Sequence, residues 1–300
     1  MSKKRKLNDL ILKGLIWIFS LVTIGFLAWM ILYIVSKGMS GISWEFISSE
    51  YNLYRDKTGI LPMIVGTLVL VITTLMISVP IGISAAIFLT EYAKQGYWVR
   101  LIRFATESLA GIPSIIYGLF GYIFFKDVLN LGFSIASGAL TLSIMVLPII
   151  VRTTEEALLS VNPGYKEGSL ALGASRLQTI FKVILPSAIP GILTAVILSM
   201  GRVIGESAAV IYTVGSVPKI PGISRLLTSS VRTLSVHLYV VALEEADFVS
   251  AFATGTILML IIATLNFVAN KIGRNLVKGR ELYIDDKSSR RRMLIEVKEL

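Results

Sequence analysis

Residues 155–186 read E-E-A-L-L-S-V-N-P-G-Y-K-E-G-S-L-A-L-G-A-S-R-L-Q-T-I-F-K-V-I-L-P, a polar, helix-compatible loop set between two long apolar runs. Glu167, Gly168, Ser169 and Gly173 lie at its centre, and Leu185-Pro186 close it. A loop of this kind between runs of this kind implies a chain that leaves a membrane, does something in water, and returns.

The runs outward of it support that reading. Gly14–Ser36, Ile60–Thr90, Ser108–Phe125, Val128–Val151, Val183–Thr213 and Phe248–Asn270 are long enough, or nearly so, to cross a bilayer, which takes about 20 helical residues for roughly 30 Å of hydrocarbon. Water is absent there, so the backbone must satisfy itself as helix. The expected fold is therefore an all-α integral membrane protein with six transmembrane helices. A hydrophobic content of 54%, a charged content of 16% and a mean hydropathy of +0.76 exclude an ordinary soluble domain. The first run is too long for the h-region of a cleaved signal and lacks an A-x-A site, so it reads as an anchor. Pro80 falls inside the second run and bends it.

The net charge of +10 does not point to nucleic acid, because of where it lies. With residue 1 inside, segments 1–13, 91–107, 152–182 and 271–300 hold 21 Lys and Arg, and the opposite side holds 7. That is the positive-inside asymmetry. It puts both termini and the 152–182 loop in the cytosol, and Lys37–Gly59 outside. Trp44, Phe46, Tyr51 and Tyr54 in that outer loop read as an interfacial aromatic belt, and Arg290-Arg291-Arg292 as a topology-fixing run that can also touch anionic lipid.

Chemistry is scarce. The chain has no cysteine, which excludes a thiolate metal centre, and its single histidine, His237, argues against a histidine-based one. No G-x-x-x-x-G-K-[S/T] occurs and no nucleophile–base pair appears, so no catalytic residue is assigned, and any ATP-driven work belongs to a partner. His237 receives no role. Two charges stand out: Arg202 and Glu206 interrupt the fifth run four residues apart. On a continuous helix they share a face. An arginine at the bilayer centre costs at least about 2.5–3.5 kcal/mol and by default marks a substrate path. Three arrangements satisfy it: an ion pair that fixes packing, a helix that ends near Met200 and leaves both charges in a vestibule, or an anion pathway in which Arg202 attracts an oxyanion and Glu206 restrains it. The planar guanidinium suits a phosphate-like oxyanion.

The central loop resembles the coupling loop of ABC importer permeases, whose pattern is E-A-A, three residues, Gly, nine residues, Ile-x-Leu-Pro. Glu167, Gly173, Leu185 and Pro186 match it; Gly168 and Ser169 replace Ala-Ala, and Val183 replaces the Ile. Arg202-Val-Ile-Gly205-Glu206-Ser207-Ala208 is similar to the R-x-x-G-E-[S/T]-A signature of permeases in the phosphate-specific ABC importer. The run Ile112–Gly121, with Pro113, Ser114, Gly118 and Gly121, and Ile184–Gly191 extend the likeness over about residues 60–270. Ala208 and the Ser-Val-His-Leu-Tyr run at 235–239 fit the A-type subunit.

The resemblance implies the type I ABC importer permease fold, with 1–59 as a cytosolic N-terminus, anchor and outer loop, 60–270 as the permease core, and 271–300 as a cytosolic tail. It implies a substrate pathway at Arg202, Glu206 and Ser207, and a coupling loop carried by Glu167, Gly168, Ser169, Gly173, Leu185 and Pro186. Pro113, Ser114, Gly118 and Gly121 become pore or packing candidates. The implied partners are a second, C-type permease, two copies of a P-loop ATPase that carry ATP and Mg, an extracytoplasmic phosphate-binding protein and membrane lipid. No cofactor is expected on this chain. Other readings are a permease for sulfate or molybdate, a secondary anion transporter or channel, and a membrane sensor or scaffold.

Overall fold

A computed structural model describes residues 3–52 and 57–296, with side chains over 10–51 and 58–273. Twelve α-helices follow one another among the described residues: α1 (Lys3–Gly38), α2 (Trp44–Ser48), α3 (Leu61–Ile87), α4 (Tyr97–Ala110), α5 (Ser114–Gly121), α6 (Ile135–Leu159), α7 (Pro163–Ala171), α8 (Arg176–Thr179), α9 (Leu185–Gly205), α10 (Ala208–Thr213), α11 (Leu234–Leu243) and α12 (Phe248–Glu296). The only sheet among them is a two-residue antiparallel pair, Tyr51 opposite Thr58. π-helical turns at Phe88–Tyr92, Tyr122–Val128 and Ile180–Ile184 extend α3 and α5 and lead into α9.

Five helices are long and apolar enough to cross a membrane, and α4 with α5 make a sixth candidate bent by 98°. The bend differs from the straight third span expected from Ser108. Its cause is Pro113, which keeps the preceding residue out of helix and stands as the extended cap of α5. The Tyr117 hydroxyl reaches back across the bend to the Leu109 carbonyl at 2.7 Å, satisfying one of α4's terminal acceptors. The fourth span also shifts, from the expected 128–151 to Ile135–Leu159. Asn130 and Gly132 adopt left-handed φ of 56° and 62°, and the Ser134 hydroxyl caps the new start by accepting from the Ser137 N–H at 3.2 Å.

The core forms where α3 and α6 cross, with α9 and α10 laid beside them. Leu70, Val71, Leu142, Val146, Ile150, Val203 and Ile204 fill it. Small residues allow the approach: a Cβ at Gly82 would strike the Ile150 side chain, and one at Gly138 the Val214 side chain. Hydroxyls within these helices bond back to their own carbonyls, as Thr74 does to Leu70 at 2.8 Å and Ser78 to Thr74 at 2.9 Å. That local bond is what makes a polar side chain tolerable where water is missing. Ser143 bonds both Ala139 of its own helix and the Thr74 carbonyl of α3 at 3.2 Å, a polar tie across the main crossing.

The outer-loop aromatics do not form one belt. Trp44 is exposed, but Phe46 and Tyr51 are buried with Ile60, Met63 and Leu234. The Ser43 hydroxyl caps α2 and so turns Phe46 inward. Tyr54 and the Arg290–Arg292 side chains lie outside the described residues.

Candidate substrate path and loop

α9 stops at Gly205 in the middle of what reads as one apolar run. Glu206 leaves it with extended geometry, φ −78° and ψ 125°, and α10 starts two residues later. Two contacts define the break. The Glu206 carboxylate accepts the Ala209 N–H at 3.2 Å, capping α10, and its carbonyl accepts the Ser235 hydroxyl of α11 at 2.7 Å. The expected shared helix face of Arg202 and Glu206 is thereby lost. Among the described residues Arg202 makes no ion pair or hydrogen bond.

The charges instead sit at complementary helix ends. Arg202 lies in the last turn of α9, where carbonyl ends favour a cation, and Glu206 at the first turn of α10, where N–H groups favour an anion. Arg202 is exposed, and added Cβ atoms at Gly201 and Gly205 would meet nothing within 4 Å. The Gly201–Arg202–Gly205 face of that turn therefore looks onto open space, while Val203 and Ile204 are turned into the core. Ser207 lines a cavity of about 360 Å³ with Ile115, Tyr212, Ser216, Tyr239 and Glu244.

The α5 candidates separate. Gly118 and Gly121 are buried in packing: a Cβ at Gly118 would come within 2.8 Å of the Ala209 Cα, and one at Gly121 would strike Thr141 of α6 and lie 2.7 Å from Thr213 of α10. Pro113 and Ser114 mark the bend and the start of α5.

The 152–182 loop is a helix–turn–helix. Asn162 caps α7 by accepting the Gly164 N–H at 2.9 Å, and Pro163 suits the first turn because its missing N–H is not needed there. Gly173 ends α7 at φ +82°, a left-handed position where a side chain is strained. Ser175 and Gln178 then form a capping box at α8. The Ser169 hydroxyl lies 2.9 Å from that of Thr179, which fastens α7 to the end of α8. Glu167 and Gly168 face outward on α7, while Leu185 and Pro186 open α9. Leu172 is 90% exposed, and Tyr165, Leu177 and Phe181 are also exposed. An apolar surface on a small polar hairpin is the composition of a contact surface rather than of a free loop.

The sequence reading missed a cluster where this loop meets α3. Glu91, in the π turn that ends α3, is buried, and its carboxylate takes Lys166 of α7 at 2.6 Å. Arg176 of α8 donates to the Glu91 carbonyl and lies over the Tyr92 ring at 5.1 Å. Gln95 donates to the Leu89 carbonyl at 3.2 Å and accepts from Arg103 at 3.3 Å, and Arg103 pairs with the buried Glu155 of α6 at 3.2 Å. The carbonyls that a helix end leaves without partners are thus taken by side chains from the loop and from the α3–α4 connection. The one available signal was an acidic residue directly after an apolar span. Its partners lie 75 and 85 residues away, beyond any local pattern.

Comparison with known proteins bears on the family and the fold. The profile of the family "Binding-protein-dependent transport system inner membrane component" matches residues 78–280. The "Probable ABC transporter permease protein YqgI" of Bacillus subtilis is 36% identical over 211 residues, covering 70% of this chain and 72% of its own. The "Phosphate transport system permease protein PstA" of Haemophilus influenzae is 32% identical over 209 residues, covering 70% and 74%. Among solved structures, a bacterial alginate ABC transporter chain superimposes with a TM-score of 0.66 at 17% identity, covering 92% of this chain and 98% of its own. A chain of the MetNI methionine ABC transporter superimposes with a TM-score of 0.56 at 20% identity, covering 75% and 97%. The structural likenesses show the fold.

Proposed function

The chain belongs to the binding-protein-dependent transport system inner membrane components, and from that we propose that it is the A-type permease subunit of an ATP-driven inorganic phosphate importer. It forms half of a translocation pathway and has no catalysis of its own. The observation that carries the phosphate reading is the unpaired, exposed Arg202 at the α9–α10 break. A guanidinium in that position attracts an oxyanion through its planar donors. Glu206, turned away to cap α10, tempers the field without neutralising it, so the anion is drawn in and still released. The names of relatives such as PstA of Haemophilus influenzae support phosphate as the oxyanion.

The rest of the assembly follows the same logic. Lys and Arg are concentrated on the loop side, which supports a cytosolic position for α7, α8 and both termini. The exposed Leu172, Leu177 and Phe181 there meet a P-loop ATPase, which holds ATP and Mg. α1 and the outward face of α5, with Ile116, Leu119 and Phe120, remain uncovered by the described chain, and a second, C-type permease is the partner that completes the pathway. A phosphate-binding protein delivers the anion at the other side. The three-part division at residues 59 and 270 stands on this reading.

The test is uptake of labelled phosphate, with sulfate and molybdate as competitors, in membranes carrying the assembled complex. Arg202→Ala should lower uptake by roughly 30-fold or more, the effect of losing about 2 kcal/mol or more from a charged contact. Arg202→Lys should recover part of it, because the charge remains and the planar fork does not. Arg202→Met combined with Glu206→Gln should assemble and still fail to transport. Robust uptake by that double variant removes the anion-path reading, and stronger competition by sulfate or molybdate than by unlabelled phosphate reassigns the substrate.

A further inference from the structure

We infer that Glu91 is a positioning residue for transport: it latches the cytosolic end of α3 to the α7–α8 hairpin, so that displacement of the hairpin moves α3 directly. The inference rests on the proposed docking of an ATPase at that hairpin. Covalent connection alone ties the hairpin to α6 and α9, which flank it in sequence. Glu91 adds a third helix. Its carboxylate holds Lys166 of α7 at 2.6 Å, and its carbonyl holds Arg176 of α8, so a single residue engages both halves of the hairpin.

The placement favours transmission over mere decoration. The residue is 7% exposed, so the pair is shielded on the carboxylate side and is screened less than a surface pair. Both donors are cations at the carbonyl end of a long helix, where its dipole adds to the attraction. A cavity of about 340 Å³ lies beside the latch, lined by Glu91, Lys166, Leu170, Arg176, Thr179 and Ile180. Ala86 of α3 also packs with Ile180 and Ile184 in the turn after α8, and the Glu91 contacts add the tie to α7 and α8 themselves.

α3 is the right helix to receive the push. It carries Leu70 and Val71 into the core beside Val203 and Ile204, one turn from Arg202 and the α9–α10 break. Its Thr67 hydroxyl accepts the Leu234 N–H at the start of α11 at 2.9 Å, and α11 holds the Glu206 carbonyl through Ser235. A shift of α3 thus reaches both sides of the break through rigid elements, the physical form that coupling between distant sites requires.

The experiment uses the whole complex, purified through a tag on this chain and reconstituted in liposomes with its binding protein, with inorganic phosphate as the probe. Phosphate moved per ATP hydrolysed is measured for Glu91→Gln, Glu91→Lys, Lys166→Glu and the exchange Glu91→Lys with Lys166→Glu. Glu91→Gln keeps shape and hydrogen-bonding capacity, and Lys166 is exposed enough to turn to water, so this variant assembles. The expected result is a ratio lowered about fivefold or more in each single variant and largely restored in the exchange, as for directly coupled residues. A purely structural role would lower yield or melting temperature and leave the ratio of the surviving complex unchanged. An unchanged ratio in Glu91→Gln and Glu91→Lys, or an exchange no better than its parents, overturns the latch. Uptake by the unaltered complex that needs no ATP would instead strike the ATPase-docking reading.

Discussion

His237 is fully buried beneath the outer loop, edge-on to the Tyr51 ring at 5.0 Å, with an Arg232 Nη1 3.5 Å from its Nδ1. Burial first, then the Arg232 charge, push its pKa down to about 3, while Asp247 pulls it up. The remaining charge nearby is Glu245, which accepts the Tyr51 hydroxyl at 2.7 Å; burial and that carboxylate push the phenol up to about 12. A histidine held neutral in the fold and free to protonate when unfolded contributes stability above about pH 6.5 that is lost as pH falls toward its folded value. The melting temperature of the purified complex should therefore fall between pH 7 and pH 4. With His237→Gln the fall should be smaller by about 3–6 °C, the shift of one to two kcal/mol in a domain of this size. Equal acid slopes in the two proteins would mean that other groups set the acid limit. The sequence left His237 without a role because a lone histidine announces nothing; its partners come from the outer hairpin, the strap before α11 and the α11–α12 connection, which only the fold assembles.

Among the helices, what was legible followed the local rules. Long uncharged runs located the membrane segments and Gly173 suits a turn, while Pro113 at the α4–α5 bend and Asn162 and Ser175 at helix caps are local signals that the reading of spans passed over. The break after Gly205 was half legible: a helix ending near Met200 was one of three open arrangements, but Val203-Ile-Gly-Glu-Ser-Ala contains no proline and sits in an apolar run, so nothing local chose it. It is imposed by Ser235 on the Glu206 carbonyl, a contact across 29 residues, and by the caps that pay back the interrupted helix bonds. The small residues of α5 were readable as packing or pore residues but not sorted between the two until α6 and α10 were in place. Gly121 gives the sharpest test at this scale. Any side chain there meets Thr141 and Thr213 at once. Gly121→Leu should cost about 1–3 kcal/mol or more by overpacking and lower the amount of assembled complex, whereas Ser114→Leu at the half-buried start of the helix should be tolerated. Comparable yields from both variants would show that α5 can slide away from α6 and α10.

At the scale of the whole molecule, the proposed topology predicts sides for every connection. A cysteine introduced at residue 44 should react with an impermeant thiol reagent applied outside, and one near residue 172 should react only after the membrane is opened; the chain has no native cysteine to confuse the result. Labelling of both from the same face would dismantle the orientation and with it the docking site. The described packing also has a consequence for how the chain is made. α1 is exposed over its apolar length and meets the bundle near its outer end, where Gly38 fits against Phe252 and Thr256 and Tyr33 stacks edge-on to Phe252, all on α12. Its docking helix is therefore made after every other described span, on the order of 10–40 s after α1 at ordinary elongation rates. During that interval α1 must persist as a solitary helix in lipid, which its lack of charged residues from Gly14 to Ser36 permits. Membrane retention is thus secured before α1 has a tertiary partner, and the order of synthesis puts the closing of α1 onto α12 after the other described helices have entered the membrane.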